Sequence, residues 1–265
     1  MPITVKDKVI IITGAGQGIG RAYAETLAAE GAKVVIAELN FERAKEVEAS
    51  IKAKRGEALA VRTDVSKAES TREMVRRAGE KYGRVDVLVN NAAAYYGLKM
   101  TFFPDLDEAE FDSQWQVNVK GLWQCCKAVL PQMIKQGKGK IINIASTVAW
   151  VAPYGMLHYI ASKGAVLSMT RALAKEVAEL GGPDSQITVN TLVPGITWTD
   201  ATVHLFSEQP MFGDMALETQ ILKHRLMPED LVGAMLFMCS DACDFMTGST
   251  VVVDGGMAFD LTCAK

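Results

Sequence analysis

The sequence predicts an α/β protein, built on a doubly wound parallel sheet with helices on both faces. Short apolar runs alternate with longer segments of helical periodicity, which is the pattern of repeated β-α units. A glycine-rich turn at Thr13–Gly20 links the first apolar run to the first helical segment. The length of 265 residues, with 49% hydrophobic residues, suffices for one large core. We therefore expect a single domain over residues 1–265, with right-handed crossovers between its strands.

The strands and helices can be assigned in order along the chain. Near-continuous apolar runs are expected where helices cover both faces of a parallel sheet. The predicted strands are Val9–Ile12, Val34–Ala37, Ala58–Val61, Val85–Val89, Ile141–Ile144, Thr188–Val193 and Thr250–Val253. The segments with apolar residues every three or four positions predict the helices Arg21–Ala29, Ala44–Lys54, Ser70–Lys81, Glu110–Lys135, Ala161–Leu180 and Glu229–Met238.

Composition excludes several classes of function. The formal net charge of −3 gives no basic field for nucleic acid or for an anionic membrane surface. Five cysteines form no disulfide framework, and the Cys239/Cys243 pair lacks accompanying ligands, so we expect buried thiols and no metal ion. No signal-peptide segment begins the sequence, and no apolar run approaches the about 18 residues of a membrane span. We expect a cytoplasmic protein.

The glycine-rich turn predicts a phosphate-binding loop. It follows a strand and opens a helix, where glycines let the backbone approach a pyrophosphate and free N–H groups favour anions. Its spacing is T-G-x-x-x-G-x-G, because Ile19 occupies the last glycine position of the G-x-G-x-x-G pattern. A plain tight turn is the alternative, which the strand–loop–helix context disfavours. The residues expected to hold the cofactor here are Thr13, Gly14, Gln17, Gly18, Ile19 and Gly20.

Polar residues at the ends of the next strands extend this predicted site. Glu38 ends the second strand, where its carboxylate could accept both ribose hydroxyls of adenosine and repel the 2′-phosphate of NADP. No arginine or lysine stands at positions 17, 39 or 40 to attract that phosphate. A strand-end acid facing water is the alternative. We therefore expect NAD as the cofactor, with further contacts from Asp64, Val65, Asn91 and Ala92.

A serine, a tyrosine and a lysine complete the candidate site. Tyr159 and Lys163 are four residues apart, so on a helix they share one face. Ser146 stands just after the apolar run Ile141–Ala145, which reads as a buried strand. A surface Tyr–Lys pair is the alternative for such a short pattern. Together with the glycine-rich turn, these residues indicate a hydroxyl, a phenol and a cation that converge beside a dinucleotide.

This ordered set resembles the single-domain branch of the short-chain dehydrogenase/reductase family, over essentially the whole chain. The resemblance rests on Thr13–Gly20, Asp64, Asn90–Ala92, Asn118, Ser146, Tyr159, Lys163, Pro194, Gly195, Thr199 and Asp254–Gly256. It implies a Rossmann-type sheet of about seven strands in the order 3-2-1-4-5-6-7, and a homotetramer that pairs its long middle helices. Ala93 departs from the pattern, because the family usually has glycine there; we expect only a local adjustment.

The resemblance also implies the roles of the site residues. In such proteins Tyr159 would be the acid/base in hydride transfer between an alcohol and a nicotinamide. Tyrosine has a reference pKa near 10, and a nearby ammonium such as Lys163 favours the phenolate. Ser146 would hydrogen-bond the substrate oxygen, and Asn118 would hold a water that relays protons. Tyr159 and Lys163 would also contact the cofactor, Lys163 through the hydroxyls of the nicotinamide ribose. The turn after the sixth strand would contact the carboxamide through Pro194, Gly195, Thr197 and Thr199.

The substrate is expected to be a small hydrophobic secondary alcohol or ketone. A lid is predicted at about residues 196–227, and its apolar residues are Phe206, Met211, Phe212, Met215, Leu217, Ile221 and Leu222. The predicted substrate contacts are Trp150, Tyr154, Trp198 and Phe206, although these residues could instead pack the lid onto the core. His158 is expected to be structural. A weaker resemblance connects the chain to members that act on aryl secondary alcohols.

Two other functions are weighed against this one. A 3-oxoacyl thioester reductase is disfavoured by Glu38, because such enzymes usually use NADPH. A regulatory NAD-binding protein without catalysis is disfavoured by the complete set of Asn118, Ser146, Tyr159 and Lys163.

Overall fold

The computed structural model describes residues 3–208 and 217–258. Seven parallel strands form one sheet in the order β3-β2-β1-β4-β5-β6-β7, which confirms the predicted order. The strands are β1 (Val9–Thr13), β2 (Lys33–Glu38), β3 (Glu57–Arg62), β4 (Val87–Asn90), β5 (Lys138–Ile144), β6 (Gln186–Pro194) and β7 (Thr250–Val253). Near the centre of the sheet, Ile11 of β1 pairs with Val35 on one side and with Leu88 on the other.

Helices cover both faces of the sheet. They are α1 (Gly18–Ala29), α2 (Phe41–Ala53), α3 (Ala68–Tyr82), α4 (Glu108–Gln114), α5 (Leu122–Gln136), α6 (Val148–Val151), α7 (Leu157–Gly181), α8 (Asp200–Glu208) and α9 (Val232–Cys239). Short 3₁₀ turns lie at Phe103–Asp105, Pro228–Leu231 and Asp241–Cys243. Within the two described segments, no helix has both the length and the hydropathy that a membrane span requires.

Two apolar cores lie on opposite faces of the sheet, because successive strand residues point to opposite sides. Ile10 and Ile12 of β1 belong to a core with α1, α2 and α9, represented by Leu27. Ile11, between them in sequence, belongs to the other core with α3, α5 and α7, represented by Val129. Both faces of the sheet are therefore packed against helices, so the ends of its strands can hold side chains in fixed positions.

Two helices differ from their predictions near the site. The predicted helix Glu110–Lys135 is interrupted, because residues Trp115–Gly121 form a π-helical stretch between α4 and α5. Such widened turns are rare and often occur at functional sites. Helix α7 begins at Leu157, earlier than the predicted start at Ala161. Tyr159 therefore lies in the first turn of α7, one turn before Lys163. The short helices α6 and α8 were not predicted.

The cysteines are buried thiols within the part of the chain that the structure describes. Cys125, Cys126, Cys239 and Cys243 are free and buried, while Cys263 lies outside the described residues. Burial raises the pKa of all four thiols, that of Cys126 to about 12. Because the thiolate is the reactive form, these residues are inert packing groups.

Candidate functional site

The candidate site is a cleft of about 440 Å³ at the carboxyl edge of the sheet. It opens where the strand order reverses between β1 and β4, the position at which such sheets bind ligands. Ser146 and sixteen of the seventeen predicted cofactor residues line it. These sixteen are Gly14, Gln17, Gly18, Ile19, Gly20, Glu38, Asp64, Val65, Asn91, Ala92, Tyr159, Lys163, Pro194, Gly195, Thr197 and Thr199.

Thr13, the remaining predicted cofactor residue, lies behind the cleft wall. It is almost fully buried, and its hydroxyl oxygen accepts hydrogen bonds from the backbone N–H groups of Asn91 and Ala92, both at 3.0 Å. The Asn91 amide in turn donates to the Thr13 carbonyl oxygen at 2.9 Å. Thr13 therefore ties β1 to the segment after β4. We correct its predicted role from contact with the cofactor to support of the loop.

The glycine-rich loop has no room for side chains, as a dinucleotide cradle requires. Gly14 has a φ of +64°, and a Cβ there would lie 2.9 Å from the Cα of Ala92. A Cβ on Gly20 would lie 2.3 Å from the Gly14 carbonyl oxygen and 2.5 Å from the Asn91 amide nitrogen. The bare backbone faces the cleft at the N-terminus of α1, where N–H groups and the helix dipole favour a pyrophosphate. These residues fit a dinucleotide.

Replacing Gly20 with Ala should therefore weaken NADH binding by more than about tenfold, because backbone rather than a flexible side chain must move. Fluorescence titration with NADH would measure this. The matched control is Gly79→Ala in α3, where a Cβ has no atom of residues 3–208 or 217–258 within 4 Å. That variant should bind NADH normally and be more stable by about 0.5–1 kcal/mol. Normal NADH binding by Gly20→Ala would contradict the assignment of the loop.

Carboxylates at the ends of two strands form the end of the cleft where adenosine is predicted to lie. One oxygen of Glu38 accepts the N–H of Gly16 at 3.1 Å, and the other accepts the N–H of Asn40 at 3.0 Å. One oxygen of Asp64 accepts the N–H of Ser66 at 2.9 Å and its hydroxyl at 2.6 Å. Both carboxylates are thus fixed at the cleft wall by local hydrogen bonds.

Arg43 is a basic residue beside this end of the cleft that the sequence analysis did not identify. Its guanidinium donates a hydrogen bond to the side chain of Gln17 in the glycine-rich loop. A Cβ on Gly16 would lie 2.8 Å from Glu38 Cγ and 2.9 Å from Arg43 Cβ, so an acid and a base flank the loop together. This cation comes from the first turn of α2 and not from positions 17, 39 or 40, where the sequence has no basic residue.

The structure brings Ser146, Tyr159 and Lys163 together at the inner end of the cleft. The Tyr159 phenol is hydrogen-bonded to Ser146. The Lys163 ammonium lies 5.7 Å from the centre of the Tyr159 ring and donates to the carbonyl oxygen of Ile144 at 2.8 Å. All three side chains are nearly buried. This arrangement can hold one oxygen atom of a substrate beside a phenol and exchange a proton with it.

The ionisation of this group differs from the expectation that Lys163 lowers the pKa of Tyr159. Burial, with a smaller contribution from Tyr95, raises the pKa of Tyr159 above its usual value, and the hydrogen bond from Ser146 opposes this only in part. Burial also lowers the pKa of Lys163 to about 8. Desolvation is the largest cause of both shifts. In the protein alone the phenol is therefore protonated and ready to act as an acid.

Asn118 is buried behind the cleft and does not line it. Its amide nitrogen donates to Gln114 Oε1 at 2.7 Å and to Ser162 Oγ at 2.9 Å, while its amide oxygen accepts the N–H of Ala94 at 2.9 Å. Gln114 also donates to the carbonyl oxygen of Ala94 at 2.6 Å. The side chain of Asn118 thus holds the loop after β4 against the π-helical stretch. Ala93, in this loop, has no positive φ, so its backbone does not require glycine.

A second, apolar cavity of about 70 Å³ adjoins the cleft, and one of the four predicted substrate residues lines it. It is lined by Tyr95, Met100, Thr147, Val148, Val151, Pro153, Met156, Ile196, Leu205, Phe206, Thr219 and Met257. Trp150 and Tyr154 line neither cavity and are 39% and 81% exposed. Trp198 also lies outside both linings, with its ring 5.2 Å from that of Phe206. Of the four predicted substrate residues, Phe206 alone is therefore placed to touch a substrate in this cavity.

The other residues named at the sequence level lie around this region. Leu217 is partly buried, and Ile221 and Leu222 are more than half exposed. Met211, Phe212 and Met215 lie outside the described residues. His158 is fully buried with its Nε2 atom 3.4 Å from Glu110 Oε1, and it lines neither cavity.

Comparison with known proteins gives one consistent family. The sequence profile of the short chain dehydrogenases matches residues 8–210. A 3-oxoacyl-(acyl-carrier-protein) reductase of Staphylococcus epidermidis is 35% identical over 255 residues, which cover 95% of this chain and 99% of that protein. An uncharacterized oxidoreductase of Mycobacterium tuberculosis is 41% identical over 250 residues, covering 94% of this chain and 97% of the relative.

A solved structure agrees with this comparison. A 7α-hydroxysteroid dehydrogenase in complex with NADH and 7-oxoglycochenodeoxycholic acid superposes with a TM-score of 0.88 at 32% identity. The superposition covers 96% of this chain and 95% of that one. The fold and the length of the two chains therefore correspond almost completely.

Proposed function

The chain belongs to the short-chain dehydrogenase family of oxidoreductases, and we propose that it interconverts a hydrophobic secondary alcohol and its ketone with NAD(H). One observation carries the proposal: Tyr159, hydrogen-bonded to Ser146 and close to Lys163, lies where the cofactor cleft meets an apolar cavity. The oxygen of a substrate could thus contact Tyr159 and Ser146 while an apolar substituent enters the apolar cavity.

Each site residue has a part in this proposal. Ser146 and Tyr159 hold the substrate oxygen, with Tyr159 giving up its proton in ketone reduction and accepting it in alcohol oxidation. Lys163 supplies positive charge near the phenol and is anchored by the Ile144 carbonyl. Asn118 fixes the wall beside them through its bond to Ser162. A bound nicotinamide supplies or accepts the hydride, and the cleft-lining turn Pro194–Thr199 would orient it.

The preference for NAD rests on Glu38, which lines the cleft where the adenosine ribose would lie. Its carboxylate would repel a 2′-phosphate, while Arg43 beside it could attract one. Replacing Glu38 with Ala should raise the ratio of kcat/KM for NADP to that for NAD by at least about tenfold. The matched variant Arg43→Ala should lower the same ratio. An unchanged ratio in Glu38→Ala would exclude this role of the carboxylate.

The proposed function is tested by NADH formation with purified protein, NAD or NADP, and secondary alcohols from aliphatic to aryl and steroidal. Turnover with NAD on apolar alcohols supports the proposal. If no alcohol of this panel gives NADH formation, although fluorescence shows that NADH binds, the proposal is contradicted and a regulatory NAD-binding protein is favoured.

A 3-oxoacyl thioester reductase is the second candidate, and the relative from Staphylococcus epidermidis favours it. The nearby Arg43 is compatible with NADPH, which such an enzyme usually takes. Oxidation of NADPH by acetoacetyl thioesters, at a higher kcat/KM than for simple ketones with NADH, would replace the first proposal by this one.

We also propose a homotetramer, with a lid at about residues 196–227 over the single domain. The helices α5 and α7 carry exposed apolar side chains, Trp123 and Leu180, that pairing of these helices would cover. Light scattering in solution should then give a particle of four chains.

A further inference from the structure

Tyr95 occupies the boundary between the two cavities. Only three residues line both the cleft and the apolar cavity, among those the structure describes: Tyr95, Val148 and Ile196. Tyr95 has by far the largest side chain of the three. Any substrate whose oxygen lies at Tyr159 must pass one of its substituents between these residues to enter the apolar cavity.

Two contacts fix the Tyr95 side chain at this boundary. Its ring lies 5.3 Å from the ring of Tyr159, centre to centre, at an angle of 59°. Its hydroxyl is hydrogen-bonded to the side chain of Thr202 in α8. Thr202 is itself buried, and its hydroxyl lies 3.1 Å from that of Thr199. Tilted aromatic pairs of this kind are stabilising, so the ring is held from both ends.

The apolar cavity behind Tyr95 is small. Its volume of about 70 Å³ is roughly half that of an engineered apolar cavity that takes up benzene, about 150 Å³. It would accept an alkyl group of a few carbons. An aryl group would fit only if Tyr95 turned away, and that would break its contacts with Tyr159 and Thr202.

We propose that Tyr95 limits the size of the smaller substituent of the substrate, acting as a partition between the cofactor cleft and the apolar cavity. This inference rests on the proposed function, because it places the substrate oxygen at Tyr159. The larger substituent must lie outside this apolar cavity, because the cavity is too small for it. The enzyme therefore selects secondary alcohols in which at least one substituent is small.

The test compares two alcohols that differ in one substituent. 1-Phenylethanol carries a methyl group where diphenylmethanol carries a second ring. Wild type should oxidise 1-phenylethanol with a kcat/KM at least about tenfold higher. Tyr95→Ala should join the cavities and lower this ratio by at least about tenfold. Tyr95→Phe retains the ring and should keep the wild-type ratio. The control Tyr96→Ala removes the neighbouring tyrosine, which is exposed and lines neither cavity, and should also keep it.

Binding of the two ketones separates this inference from the proposed function. Titration calorimetry of acetophenone and benzophenone with NAD-saturated protein measures the same selectivity without turnover. Suppose that wild type turns over the alcohols, and that Tyr95→Ala changes neither the kcat/KM ratio of the alcohols nor the affinity ratio of the ketones. The partition is then wrong and the proposed function stands. If no alcohol is turned over but the binding ratio shifts in Tyr95→Ala, the activity is wrong and the partition stands. If there is neither turnover nor a shift, both are overturned.

Discussion

Replacing Tyr159 with Phe should lower kcat for alcohol oxidation by at least about 10³-fold, while the Kd for NADH stays within about twofold of the wild-type value. The variant removes only the hydroxyl that is hydrogen-bonded to Ser146. The ring contact with Tyr95 and the packing of α7 remain, because phenylalanine has the same ring. Steady-state rates of NADH formation and fluorescence titration with NADH measure the two effects separately.

Tyr23→Phe provides a matched control for this experiment. Tyr23 lies in α1 and is fully buried, and its hydroxyl has no hydrogen-bond partner among the residues that the structure describes. Its removal should leave kcat unchanged and should not lower the melting temperature, because a buried hydroxyl without a partner is unfavourable. Substantial residual activity in Tyr159→Phe, at more than about a tenth of the wild-type rate, would exclude Tyr159 as the main acid/base.

The sequence was sufficient to place most of the cofactor cleft. Glu38, Asp64 and Asn91 each lie within three residues after the end of a predicted strand, and parallel strands bring such ends to one edge of the sheet. The glycine-rich loop could be located because its spacing and its position between a strand and a helix are both local properties. For these residues, local pattern and topology together determine the position.

The features that were not predicted depend on packing between distant segments. Arg43 reaches the loop only because α2 packs beside α1, and nothing in its own neighbourhood marks it. Tyr95 lies in an irregular segment, so no periodicity shows which way its side chain points. Trp150 and Tyr154 are close to Tyr159 in sequence but line neither cavity. Likewise, burial rather than sequence distance decides the pKa of Tyr159.

The protonation of Lys163 should set the alkaline limit of ketone reduction. Burial lowers the pKa of Lys163 to about 8 and raises that of Tyr159, so the ammonium loses its proton first as the pH rises. Because kcat/KM for the ketone reports ionisations of the enzyme form that the ketone binds, it should be constant below about pH 8 and fall above it. Profiles of kcat/KM against pH, at saturating NADH and limiting ketone, measure this.

Two substitutions at Lys163 distinguish its charge from its packing. Lys163→Met keeps a long apolar chain but loses the ammonium and the donor to Ile144, and should lower kcat/KM by at least about 10²-fold. Lys163→Arg retains a cation that does not titrate in this range, so its residual activity should show no fall near pH 8. An alkaline limb that persists unchanged in Lys163→Arg would assign the ionisation to another group. The loss of that limb, together with the low activity of Lys163→Met, would show that the buried charge supports the proton transfer of Tyr159.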